Sequence, residues 1–186
     1  WPHYANDQGS SKYADLDQIN KETVQDLQVA WMWKSIDNAQ ISVRPQFVPA
    51  GFKSTPIHKD GTLYISTSLG NIAAIDGMTG EQKWTFDTET WEHGRPANMG
   101  FNHRGVSYWA KDEKQRILMG TNNAYLWSIV AETGRPDMNF GDNGKIDLTV
   151  GLGREIDRSR YSITAAPTIV NDTIVIGGVV QDSPML

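Results

Sequence analysis

Apolar and polar residues alternate over short runs along most of the chain, and Gly, Asp and Asn punctuate the runs. Thr62-Leu63-Tyr64-Ile65-Ser66-Thr67 follows Asp60-Gly61, and Asn71-Ile72-Ala73-Ala74-Ile75 follows Leu69-Gly70. Two such runs joined by turn residues predict a β-hairpin. Arg104-Gly105-Val106-Ser107-Tyr108-Trp109, Arg116-Ile117-Leu118-Met119 and Ala124-Tyr125-Leu126-Trp127-Ser128-Ile129 predict a second group of strands. Ala166-Pro167-Thr168-Ile169-Val170 and Thr173-Ile174-Val175-Ile176 predict a third. Leu27-Gln28-Val29-Ala30-Trp31-Met32-Trp33 alternates in the same way and reads as a strand. The stretch before about Asn20 is polar and turn-like. A short helix start follows it, with Asn20 as cap and Ile19 and Val24 as staple. Helical periodicity nowhere persists beyond two turns.

The groups repeat. Thr79-Gly80 closes the first and Thr133-Gly134 the second, 54 residues on; Leu63 and Ile117 begin equivalent strands at the same spacing, and Ile174 follows 57 residues later. A strand-rich repeat of roughly 40–50 residues is the mark of a β-propeller, each unit a four-stranded blade. The somewhat longer repeat here implies extended loops. The expected fold is therefore all-β, made of propeller blades. Its approximate units are an N-terminal segment 1–26, a first blade 27–90, a second blade 91–150 and the start of a third, 151–186. Three blades leave apolar sheet faces open at both ends. Continuation past Leu186 is the favoured expectation, with self-association through the open faces as the alternative.

Composition narrows the function. The 186 residues are 39% hydrophobic and 21% charged, with seven Trp and 17 Gly, which suits a turn-rich β protein. A net charge of −5 without a basic stripe argues against nucleic acid as a partner. The absence of cysteine removes disulfides, thiolate metal sites and cysteine nucleophiles. No apolar run approaches the roughly 18–20 residues of a membrane span, and Trp1-Pro2-His3-Tyr4 does not resemble a signal peptide. Gly151-Leu152-Gly153 lacks the remaining glycine and the strand–helix context of a dinucleotide loop. The four histidines show no zinc-like spacing. The sequon Asn171-Asp172-Thr173 is short enough to occur by chance, and Lys111-Asp112-Glu113-Lys114 reads as a solvated turn.

Ala74-Ile75-Asp76-Gly77-Met78-Thr79-Gly80-Glu81-Gln82-Lys83-Trp84 resembles the tryptophan-docking repeat of quinoprotein dehydrogenases, Ala-x-Asp-x-x-Thr-Gly-x-x-x-Trp. In that pattern Asp and Thr-Gly shape a turn, and the indole stacks between adjacent blades. A second copy, 128–138, keeps Thr133-Gly134 but has Val130 for the Asp and Met138 for the Trp. Trp1-Pro2-x-Tyr4, Leu16-Asp17-Gln18-Ile19-Asn20, Leu27-x-Val29-Ala30-Trp31, Arg104-Gly105-Val106-Ser107-Tyr108-Trp109 and Phe140-Gly141-Asp142-Asn143-Gly144 extend the resemblance over nearly the whole chain. Phe52-Lys53-Ser54-Thr55-Pro56 and the missing cysteine pair are similar to the glucose-dehydrogenase-like branch of the pyrroloquinoline-quinone (PQQ) enzymes.

The resemblance implies about three blades of an eight-bladed propeller and a cofactor with three carboxylates and an ortho-quinone. Such a pocket needs cations, hydrogen-bond donors and a flat apolar sandwich. Arg104 matches the family arginine that contacts PQQ, where its planar fork suits a carboxylate or quinone oxygen. Thr164, in Thr-Ala-Ala-Pro, matches a threonine that hydrogen-bonds a PQQ carboxylate. Lys53 stands where many relatives carry glutamate near such a carboxylate, and a cation there can pair with it directly. Asp182 lies where relatives place an acidic ligand for the Ca²⁺ or Mg²⁺ that polarises the quinone, although Ser183 follows it where the glucose branch often has Asn. Asn98-Met99 occupies the place of a vicinal disulfide found in other relatives. His103 is near the histidine lid of glucose dehydrogenases but displaced from it, with Gly100 in its place.

The family's catalytic aspartate, the tryptophan beneath PQQ and the cation beside the quinone oxygens belong to later blades. No catalytic residue is therefore expected in this chain, which alone should not turn over substrate. The implied activity is oxidation of a sugar, polyol or cyclic alcohol, with ubiquinone as electron acceptor. The implied setting is periplasmic, with attachment to the inner membrane through regions outside the chain. The alternative is a non-catalytic propeller of the same repeat family that binds protein partners, which would have no reason to keep Arg104 and Asp182.

Overall fold

The computed structural model describes residues 1–7, 9–49, 51–97 and 99–179. Strands β1 (Ile57–Lys59), β2 (Thr62–Ser66), β3 (Ile72–Asp76) and β4 (Gln82–Phe86) form one antiparallel sheet in chain order. Strands β5 (Ser107–Lys111), β6 (Lys114–Gly120), β7 (Tyr125–Val130) and β8 (Lys145–Asp147) form a second sheet of the same order. Strands β9 (Thr168–Val170) and β10 (Thr173–Val175) pair as a hairpin. The all-β expectation and its repeated four-stranded unit are borne out.

Local chemistry explains the turns. Lys59 pairs with Thr62 across Asp60-Gly61, and both turn residues have positive φ, 49° and 74°. That geometry matches the right-handed twist of the flanking strands. Asp112 and Asn171 stand at the equivalent place in the β5–β6 and β9–β10 hairpins, with φ of 53° and 54°. The next turn also repeats. Thr67 N–H donates to the Asn71 carbonyl and Thr67 Oγ1 accepts from Asn71 N–H; Thr121 makes the same pair of bonds with Tyr125.

Alternation along β3 places two cores on its two faces. Ile72 and Ala74 join Ile57, Tyr64, Val106, Ile117, Met119, Trp127 and Ile129 between the two large sheets. Ala73 and Ile75 face the other way, with Ile65, against Trp31, Trp33 and Leu63. Each fully buried Ile or Val contributes about 1.5–3 kcal/mol relative to exposure.

The docking turns tie one unit to the next. The Trp84 indole N–H donates to the Ala131 carbonyl at 3.0 Å, and its ring lies against Gly134. Trp31 does the same one unit earlier, with its N–H to the Gly77 carbonyl at 3.3 Å and its ring against Gly80. Asp76 Oδ1 accepts from the N–H groups of Met78 and Thr79, which organises the first turn. In the second copy Val130 cannot do this. The backbone bond from Gly134 N–H to the Val130 carbonyl keeps the turn closed without the carboxylate.

Three local readings differ from the structure. Residues 27–33 form no strand ladder, although Trp31 and Trp33 do point inward while Val29 and Met32 are exposed. The expected helix start is a single 3₁₀ turn at Val24–Asp26; Asn20 Oδ1 accepts from the N–H groups of Glu22 and Thr23 just before it. A helix absent from the strand-and-turn reading, α1 (Asp37–Val43), sits over the β2–β3 turn. Its seating is polar. Asp37 accepts from Leu69 N–H and Asn71 Nδ2, and Gln40 bridges Asn71 and Asp87. Pro45 follows its end, and the Arg44 guanidinium lies 3.7 Å over the Trp91 ring.

Candidate cofactor-binding site

The innermost strands β1, β5 and β9 are each preceded by a lead-in segment, and these segments are bonded to one another. Thr55 N–H donates to the Arg104 carbonyl, and Arg104 N–H donates to the Thr164 carbonyl, each at 2.9 Å. Arg104 and Thr164, singled out 60 residues apart in sequence, are thus directly paired through their backbones. Lys53 precedes Thr55 by two residues in the third segment of the row. Its side chain is exposed.

Gly105 makes this close approach possible. Its φ is +151°, and a Cβ there would stand 3.0 Å from the Thr55 carbonyl oxygen. The Thr164 segment is seated by Ile163, whose N–H donates to the Thr121 carbonyl and whose side chain occupies the space beside Gly120. Thr164 itself is 8% exposed.

Side chains at successive positions of the Arg104 segment go to opposite sides. Arg104 is exposed, and its guanidinium has no hydrogen bond or ion pair among the described residues. It lines a half-open cleft of about 530 Å³ together with Pro2, Tyr4, Ser107, Tyr108 and Ala166. Neither Thr164 nor Lys53 lines that cleft. The Tyr108 hydroxyl is buried without a hydrogen-bond partner among the described residues, and burial pushes its pKa up.

His103 points inward and is 1% exposed. A fully enclosed ring cannot lie as a lid on a bound cofactor, which agrees with the reading that displaced it from that role. Burial lowers its pKa to about 4 and outweighs the opposing effect of the Asn122 side chain. Among the described residues neither ring nitrogen nor Asn122 Oδ1 has a hydrogen-bond partner within bonding geometry. Asn122 instead uses Nδ2 to reach the Gly100 carbonyl at 3.4 Å, which Asn102 Nδ2 also binds at 3.0 Å.

Two of the sequence candidates, Asp182 and Asn98, lie outside the described residues. Among the described residues no group of three or more His, Cys, Asp or Glu side chains is arranged to hold a metal ion. No helix there is long and apolar enough to cross a membrane. The sequence reading named Arg104 but missed Tyr108 and the N-terminal wall of the cleft. The phrases Trp1-Pro2-x-Tyr4 and Ser107-Tyr108 marked their importance without saying where they sit.

Repeated four-stranded antiparallel sheets stapled by docked tryptophans define a β-propeller protein. The chain belongs to the PQQ family described as glucose/ethanol/alcohol dehydrogenase, beta-propeller domain, which matches residues 1–185. It is 30% identical over 205 aligned positions to the quinate/shikimate dehydrogenase (quinone) of Acinetobacter baylyi, covering 98% of this chain and 24% of that protein. It is also 30% identical to the quinoprotein glucose dehydrogenase of Escherichia coli, again covering 98% of this chain and 24% of the relative. Among solved structures, the quinohemoprotein alcohol dehydrogenase from Comamonas testosteroni superposes with a TM-score of 0.72 at 26% identity, covering 97% of this chain and 23% of that one. A europium-containing methanol dehydrogenase shares the fold, with a TM-score of 0.64 at 20% identity. The chain spans about a quarter of the length of these relatives. The glucose-dehydrogenase-like character expected of the sequence is borne out.

The residues present fit PQQ. An exposed guanidinium without an ion-pair partner among the described residues, standing in a cleft, suits a carboxylate of such a planar group.

Proposed function

We propose that this chain supplies part of the PQQ site of a dehydrogenase that oxidises a sugar, polyol or cyclic alcohol, with ubiquinone as acceptor. When bound, PQQ supplies the quinone that takes the hydride from the CH–OH carbon. The residues here have a holding role. Arg104 reaches a carboxylate or quinone oxygen with its fork, Thr164 donates from its hydroxyl, and Lys53 adds a second positive charge beside a carboxylate. Asp182 is the proposed ligand for Ca²⁺ or Mg²⁺. The catalytic base is proposed to come from outside this chain, and the proposed setting is periplasmic. The proposed units remain the N-terminal segment 1–26 and blades beginning at 27, 91 and 151.

The observation that carries this reading is the exposed Arg104 guanidinium in its cleft, on a segment whose backbone is bonded to that of Thr164. The test is a PQQ titration of the protein with and without Ca²⁺, followed by melting temperature and by quenching of tryptophan fluorescence. A saturable rise in melting temperature that Arg104→Ala removes supports the reading. An equal response in Arg104→Ala and wild type sinks the assigned contact. No response to PQQ at any Ca²⁺ concentration in the full-length protein favours a protein-binding propeller.

A further inference from the structure

The N-terminal segment builds one wall of the cleft in which the Arg104 side chain stands. Two anchors fix it. The Trp1 carbonyl accepts a hydrogen bond from His58 N–H on β1 at 2.8 Å. Four residues on, Ala5 is buried at 6% exposure, and its carbonyl accepts from Lys12 N–H at 3.1 Å. Between Trp1 and Ala5, the Tyr4 ring comes to Gly105, the residue of the Arg104 segment that lacks a side chain. A Cβ on Gly105 would lie 3.6 Å from Tyr4 Cδ2 and 3.8 Å from the Ala166 Cβ, so Tyr4, Gly105 and Ala166 meet at one point. Tyr4 and Arg104 both line the same cleft.

We propose that Tyr4 is a positioning residue for Arg104: its ring, seated on Gly105, is the wall that limits where the free guanidinium can go. This rests on the proposed contact between Arg104 and PQQ. A long side chain loses much rotamer freedom when it engages a carboxylate. A wall that already restricts it reduces that loss and so strengthens binding. Nothing in this role needs the phenol hydroxyl, so the ring alone should suffice.

The test uses the full-length protein and a double-mutant cycle on PQQ affinity. Tyr4→Ala should weaken PQQ binding about five- to tenfold, a coupling of ordinary size for contacting residues. Tyr4→Phe should bind like wild type. In an Arg104→Ala background, Tyr4→Ala should have no further effect. Unchanged affinity in Tyr4→Ala, or the same loss with and without Arg104, overturns the inference. A second measurement does not depend on PQQ: the rate at which phenylglyoxal modifies Arg104 in the cofactor-free protein, read by peptide mass spectrometry. That rate should change in Tyr4→Ala and return in Tyr4→Phe, and an unchanged rate overturns the inference whatever PQQ does. Wild-type PQQ affinity in Arg104→Ala together with a Tyr4-dependent modification rate would instead overturn the cofactor contact and leave the positioning role standing. Tyr4→Leu replaces Tyr4→Ala if the latter does not fold.

Discussion

Trp84 and Gly134 are 50 residues apart, yet the indole lies so close to the glycine that a methyl group there would sit 2.6 Å from Trp84 Cδ2. The glycine is needed twice, once for that contact and once for its φ of +71°. Gly134→Ala should therefore destabilise the protein by about 2–4 kcal/mol, combining backbone strain with overpacking. Urea unfolding monitored by tryptophan fluorescence should show it. Gly80→Ala should behave alike through Trp31, whereas Gly61→Ala, which meets nothing within 4 Å, should cost only the backbone part.

The buried carboxylate of Asp37 is held by Leu69 N–H at 3.0 Å and by Asn71 Nδ2 at 2.8 Å. Asp37→Ala leaves two enclosed donors without an acceptor, a loss of about 2–3 kcal/mol. The damage should be local. Amide exchange should quicken in α1 and in the β2–β3 turn, with β6 and β7 unchanged.

His103 gives a pH dependence of definite sign. Its pKa in the folded protein is about 4, below the usual value of 6.5. The unfolded chain therefore takes up a proton that the folded one refuses. The associated stability is present in full above pH 6.5 and is lost as pH falls from 6.5 toward 4. Melting temperature should decline over that window in wild type and less steeply in His103→Leu. Because both ring nitrogens lack partners, His103→Leu should be neutral or stabilising near pH 7.

Asp147 acts lower on the pH scale. Desolvation works against its carboxylate, but hydrogen bonds from Arg158 and Thr149 and the guanidinium charge outweigh it and bring the pKa to about 2. The stability it confers is present above about pH 4 and is lost as pH falls toward 2. The same guanidinium lies 4.4 Å over the Tyr125 ring, so Arg158 pins the 149–158 loop to the second sheet. Asp147→Asn should remove the acid-sensitive part and increase proteolysis between Val150 and Glu155.

Hairpins were legible because their determinants are local. Asp60-Gly61 and the Asp112 and Asn171 turns declare themselves within a few residues, and so did the docking motif ending at Trp84. Strand β4 was not read as a strand because it is the outermost of its sheet, with Gln82 and Lys83 in solvent, and shows little apolar alternation. Helix α1 escaped because polar bonds from Asp37 and Gln40 seat it, not an apolar stripe. The alternation at 27–33 was real, since Trp31 and Trp33 do turn inward, but alternation specifies a face and not a ladder partner. At the site, resemblance singled out Arg104 and Thr164, and the fold paired them. The contact of Tyr4 with Gly105 joins positions about a hundred residues apart and leaves no periodic trace.

The bonds from Thr55 to Arg104 and from Arg104 to Thr164 link the lead-ins of β1, β5 and β9, one unit to the next. They form a row from which the sheets begin. Outer strands and their loops can lengthen or change composition while the row keeps its spacing, because none of its bonds passes through them. A substitution in β4 or β8 is thereby kept apart, within its own blade, from the row of bonds that carries Arg104.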